Sequence, residues 1–124
     1  MNILVVDDNR SIREMHVELV KKLDPMGNVF AARDGSEALG ILHEKSIKLI
    51  ITDIRMEPMS GLELIREVRK SKPDLAIFVL ASNPKDLEEA KRIGATRTFE
   101  KGTGDAIDMF DWLKERLKSG SSAE

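Results

Sequence analysis

The chain of 124 residues contains no cysteine, which excludes disulfides, thiolate zinc sites and cysteine nucleophiles. Its two histidines, His16 and His43, are too few for a histidine-rich metal site. No apolar run approaches the roughly 20 residues that cross a bilayer. An excess of positive charge is missing too: 20 lysines and arginines stand against 22 aspartates and glutamates, for a formal net charge of -2. Nucleic-acid binding needs a basic patch, so neither nucleic acid nor membrane is expected as a direct partner. Met1 leads straight into an apolar run with no basic stretch or cleavage site, so no secretory signal is read and a cytoplasmic location is expected. No G-x-G-x-x-G or G-K-[ST] loop follows the first apolar run, which disfavours a nucleotide- or flavin-binding protein.

What is present is an alternation of apolar runs and helical patterns. Residues 3–6 (ILVV), 47–51 (IKLII) and 76–81 (AIFVLA) have the pattern of strands buried on both faces. Weaker runs at 29–32 (VFAA) and 96–100 (TRTFE) predict edge strands. Ile12, Met15, Leu19 and Leu23 recur at helical spacing over 11–23, with Ser11 and Glu14 placed as a capping box and His16 on the polar side. Residues 34–42 (DGSEALGIL) read as a turn and a second helix, with His43 near its carboxyl end. A third helix, 60–70, is capped by Ser60 and Glu63, with Met59 and Leu64 spaced as a hydrophobic staple. Asn83 and Pro84 open a fourth, to about Ile93. A fifth, from about Asp105 to Lys118, is expected to bury Ile107, Phe110 and either Leu113 or Leu117. Trp112 lies off that stripe and, with Met109 and Phe110, marks a candidate partner surface. The domain is expected to span 1–118, with 119–124 (SGSSAE) a flexible tail or linker start.

Five β-α units in succession predict an α/β fold, a parallel sheet covered by helices on both faces. In such sheets, sites form beyond the carboxyl ends of the strands. The first strand stops at Asp7 and Asp8, the third at Asp53, the fourth at Ser82 and the fifth at Lys101. Singly, each has a bland explanation, since Asp after a strand is usually a cap and Lys a solvated side chain. Together they are a chemistry. Three like charges at one edge are costly unless a cation joins them. Hard oxygen ligands without nearby His or Cys favour Mg²⁺. A metal, a carboxylate, an ammonium and a hydroxyl around one Asp suit phosphoryl transfer.

At these residues the chain resembles the receiver domain of bacterial two-component response regulators. The likeness rests on LVVDDN (4–9), DGSEAL (34–39), LIITDIRMEPMSGLELI (49–65), VLASN (79–83) and GATRTFEKG (94–102). It implies a doubly wound, flavodoxin-like sheet in the order 2-1-3-4-5. It implies that Asp53 accepts a phosphoryl group from a histidine kinase or phosphotransfer protein. Mg²⁺ would be bound by Asp8, Asp53 and the backbone carbonyl of Arg55, with Asp7 acting through water. Lys101 would contact the phosphoryl oxygens, and a hydroxyl at the end of the fourth strand would turn toward them. That motion would remodel the face made by helix 4, strand 5 and helix 5, which controls an output domain or partner and through which some members form homodimers. The Arg55 side chain sits where the family tunes the lifetime of the phosphoaspartate. Such a domain catalyses only its own phosphorylation and dephosphorylation.

The departures are local. Glu57-Pro58 replaces the usual Met-Pro pattern, Gly102 follows Lys101 where Pro is common, and Thr98 holds an aromatic position. Aligning the fourth strand puts Ala81, not Ser82, at the hydroxyl position, so either Ser82 takes that role or the hydroxyl is missing. The alternative is a pseudo-receiver, an interaction module without a working switch. An aspartyl phosphatase is disfavoured, because the required pair of aspartates two apart and a cap domain are not visible. The chain reads either as a single-domain regulator or as the receiver of a longer one.

Overall fold

Each apolar run becomes a strand and each amphipathic run a helix in the computed structural model, which describes residues 1–123. The order is β1 (Asn2–Val6), α1 (Arg10–Leu23), β2 (Asn28–Ala32), α2 (Gly35–Glu44), β3 (Leu49–Thr52), α3 (Gly61–Ser71), β4 (Ala76–Ala81), α4 (Pro84–Arg92), β5 (Arg97–Glu100) and α5 (Asp105–Ala123). All pairings are parallel, and the sheet runs β2-β1-β3-β4-β5, with the two weaker runs at its edges as expected.

Alternation along the strands divides the core in two. Leu4, Val6, Ile50, Ile77, Val79 and Ala81 pack with Ala38 and Leu42 of α2, Leu64, Ile65 and Val68 of α3 and Ala90 of α4. Ile3, Val5, Leu49, Ile51, Phe78 and Leu80 pack with Val20 of α1 and Met109 and Leu113 of α5. Each such side chain taken fully from water contributes roughly 1.5–3 kcal/mol. Asp34, Ser60 and Asn83 cap α2, α3 and α4 through their side chains, and Ser60 with Glu63 completes the capping box. At the far edge, the Glu100 amide donates to Asp105 Oδ2 (3.0 Å) and the Thr103 hydroxyl donates to the Glu100 carbonyl (2.9 Å), which fixes the turn into α5.

The inner stripes of two helices differ from expectation. On α1, Met15 is 49% exposed and His16 only 5% exposed. The stripe is rotated by one residue: Ile12, His16 and Val20 follow one another four apart, a helical spacing as good as the one through Met15. Residue hydropathy had favoured Met15, but His16 sits edge-on to Phe110 of α5 at 5.7 Å, so the imidazole is core rather than surface. On α5 the buried residues among those described are Met109 and Leu113, while Ile107 is 71% exposed. Met109 is therefore no part of a partner surface. The α1 cap also moves: Asn9 Oδ1 accepts the Ile12 amide at 3.0 Å, and Ser11 falls inside the first turn. Asn is at least as good a cap as Ser, and moving the cap from Ser11 to Asn9 adds two residues to the helix. The helical backbone of α5 extends past Lys118 to Ala123.

Burial holds His16 below its ordinary value of 6.5; Lys101 lowers it further and Asp53 partly opposes this. The unfolded chain thus takes this proton before the folded one, and the stability contributed by neutral His16 is lost as pH falls through and below about 6.5. Wild type should lose stability relative to His16→Gln when urea melts are compared at pH 7.5 and pH 5, with the gap moving in favour of the variant as the solution is acidified.

Candidate functional site

The register of β1 with β3 sets Val6 opposite Thr52, so the next residues, Asp7 and Asp53, emerge side by side. The ladder continues past the strand ends: the Asp7 amide donates to the Ala32 carbonyl (3.1 Å) and the Asp53 amide to the Val6 carbonyl (3.0 Å). One carboxylate oxygen from each of Asp7, Asp8 and Asp53 lies within 4.8 Å of the other two. Asp7 is buried, Asp53 half-buried and Asp8 exposed.

Lys101, which follows β5, reaches the same point. Its Nζ donates to Asp53 Oδ2 at 2.9 Å, while Asp53 Oδ1 accepts the Ile54 amide at 2.7 Å. Both oxygens of Asp53 are therefore oriented. Asp7 Oδ1 accepts the Asn9 amide at 2.9 Å, and the Asp7 carbonyl accepts Arg13 Nη1 at 2.8 Å. No protein hydrogen bond reaches the Asp8 carboxylate among the described residues. Burial pushes the Asp7 carboxyl above its ordinary 3.8; Asp53 and Asp8 push the same way, and the Asn9 amide and Lys101 push back. A single ammonium thus faces three carboxylates. Such a donor set, all hard oxygen with one ligand buried and one open to solvent, fits Mg²⁺ and not a thiolate- or imidazole-bound metal.

The remaining expected groups divide. The Arg55 carbonyl accepts no hydrogen bond from the described residues. Its side chain turns to α4, where Nε pairs with Asp86 Oδ2 at 2.8 Å. Exposed pairs of this kind contribute roughly 0–1 kcal/mol. Ser82 lies beyond β4 on the correct edge, exposed, and makes no hydrogen bond to Asp53. Ala81, the last residue of β4, is buried against the core. The structure thus joins Asp7, Asp8, Asp53 and Lys101 and leaves the hydroxyl apart. The peptide bond after Lys101 is trans, with Gly102 at φ +80°.

Two contributions were not readable in the sequence. The Ile54 amide is backbone, and the Arg55–Asp86 pair joins residues 31 apart. Gly61 was readable. Its amide donates to the Ile54 carbonyl at 2.7 Å, and a Cβ there would collide with the Asp53 carbonyl oxygen. Glycine is required by this close approach, since it lets the start of α3 back onto the acceptor loop.

An acid whose folded pKa is raised costs stability at every pH above that value, and the cost is relieved as pH falls toward 3.8. At neutral pH in chelator, Asp7→Asn should therefore melt higher than wild type, by about 3 °C or more. Magnesium should raise the melting temperature of wild type and narrow or reverse that order.

Comparison with known proteins agrees with this geometry. The family model described as response regulator receiver domain matches residues 3–110. A response regulator receiver protein of Anaeromyxobacter sp. strain Fw109-5 is 35% identical over 100 residues, covering 79% of this chain and 41% of the relative. A protein-glutamate methylesterase/protein-glutamine glutaminase of Myxococcus xanthus is 31% identical over 121 residues, covering 95% and 34%. The chain thus spans well under half the length of these relatives. Among solved structures, the response regulator TrrA of Thermotoga maritima, in complex with Mg(2+)-BeF, superposes with a TM-score of 0.77 at 33% identity, covering 95% of this chain and 96% of that one. A CheY-like receiver domain protein from Methanospirillum hungatei shares the fold at a TM-score of 0.83 and 21% identity. By its sequence over most of its length and by the order of its strands, the chain belongs to the response regulator receiver domain family, the signalling domains of two-component systems.

Proposed function

We propose that this domain takes a phosphoryl group from the phosphohistidine of a sensor kinase or phosphotransfer protein onto Asp53. The observation that carries the reading is the Asp53 carboxylate, held 2.9 Å from Lys101 Nζ with the oxygens of Asp7 and Asp8 beside it. An Asp53 oxygen forms the new P–O bond as the P–N bond to the donor imidazole breaks. The electron pair stays on the imidazole nitrogen, which takes a proton from solvent. Lys101 balances charge on the phosphoryl oxygens while the Ile54 amide keeps Asp53 oriented. Asp8, Asp53 and the Arg55 carbonyl would hold Mg²⁺, with Asp7 acting through water; the ion supplies charge neutralisation at phosphorus. The relative solved with Mg(2+)-BeF supports that assignment. Attack of water on phosphorus restores the carboxylate. The state of Asp53 is read by the α4-β5-α5 face, which controls an output domain or a separate target and is the surface a homodimer would use. The donor kinase sets the compartment as the cytoplasm.

One observation favours a second reading, the pseudo-receiver. The last position of β4 carries Ala81 and no hydroxyl, and Ser82 makes no bond to Asp53. Phosphorylation with no conformational answer, or none at all, would follow.

Intact mass after incubation with acetyl phosphate and Mg²⁺ separates the two. Wild type should gain one phosphoryl group and Asp53→Asn none; an unlabelled wild type that also ignores beryllofluoride is the pseudo-receiver. By calorimetry, Asp8→Ala should weaken Mg²⁺ binding by about tenfold or more, roughly 1.4 kcal/mol; unchanged binding would move the metal elsewhere.

A further inference from the structure

A concavity lies at the opposite end of the strands from Asp53, by their starts. β3 separates it from Asp53 by on the order of 13 Å, at about 3.3 Å per residue. Its volume is about 800 Å³, within the roughly 300–1,000 Å³ of small-molecule sites. The floor is apolar: Ile47 ahead of β3, Leu75 ahead of β4, and Phe78 within β4. Trp112 of α5 forms a wall, 45% exposed, and the Arg97 guanidinium lies over its ring at 4.1 Å.

The rim is cationic. Lys48, Lys72, Arg97 and Arg116 line it, and none of them forms an ion pair among the described residues. Two carboxylates share the rim. Neither Asp74 nor Glu115 lies within ion-pair distance of the four cations; Glu115 is 3.7 Å from Lys118 Nζ instead.

We propose that this concavity is a binding site for a small organic anion that carries a flat apolar ring. The ring leaves water for the floor of Leu75 and Phe78 beside Trp112. The anionic group, a carboxylate, sulfonate or phosphate, takes charge-assisted hydrogen bonds from Lys72 and Arg97. A bare inorganic anion would leave the floor wet, and a neutral ring would leave the cations unanswered. Both halves of the ligand are specified by the lining.

Trp112 is the sole tryptophan, so its emission reports occupancy directly. The test titrates the whole chain with 8-anilinonaphthalene-1-sulfonate and with its neutral counterpart, N-phenyl-1-naphthylamine. The sulfonate should quench Trp112 saturably at one-to-one stoichiometry, and the neutral dye should bind about tenfold more weakly or worse. Lys72→Ala/Arg97→Ala should lose about tenfold in affinity for the sulfonate with its circular dichroism and melting temperature retained. Lys72→Ala/Arg116→Ala gives the same reading should the first variant not fold. Equal affinity for the two dyes, unchanged affinity in the folded variants, or no saturation would overturn the assignment. So would a concentration-dependent dimer, seen by light scattering, that excludes the dye; that result would give this face to a second copy of the chain.

Discussion

The bond from Lys101 to Asp53 spans the end of β4, because β4 lies between β3 and β5 in the sheet. β4 ends in Ala81, whose carbonyl accepts the Lys101 amide at 2.9 Å and so sets the height from which the side chain starts. The same bond leaves the site undercompensated. One ammonium shared among three carboxylates cannot cancel their mutual repulsion, and at Asp7, the most buried of them, that repulsion adds to burial, the larger cause, in raising the pKa. A further cation at this edge, as proposed for Mg²⁺, would offset that deficit.

The scaffold makes the deficit tolerable. Backbone pairing runs past the formal ends of β1 and β3, so Asp7 and Asp53 stand on ladder residues rather than on free loops. Asp53 is further pinned by the Ile54 amide, and the start of α3 closes behind it through Gly61. Charges that would separate in a mobile loop are held together by the ladder, at the expense of stability and to the benefit of geometry.

The strands and their order were legible because two-sided burial leaves an unbroken apolar run, and a parallel sheet has only one edge where such runs can end in charge. That is why Asp7, Asp8, Asp53 and Lys101 could be placed together from the sequence. Side-chain facing was less legible. His16 and Met15 are neighbours on α1, and hydropathy chose the wrong one, since a neutral imidazole edge-on to Phe110 satisfies the core as well as a thioether would. Ile107 and Met109 were exchanged on α5 for the same reason: two stripes fit the pattern, and only the docking of the helix on Phe78 and Leu80 decides between them. The basic concavity had no sequence signal, because its lining comes from separate segments between Met1 and Arg116.

β5 is short and lies at the rim, the position at which sheets are open to extension by a foreign strand. Here the chain itself intervenes. The Glu100 amide is spent on Asp105 and the Glu100 carbonyl on the Thr103 hydroxyl. An approaching strand finds its hydrogen-bonding partners already taken where it would need to continue. Association along this rim is therefore steered away from backbone templating, which is indifferent to sequence, and toward side-chain recognition, which is not.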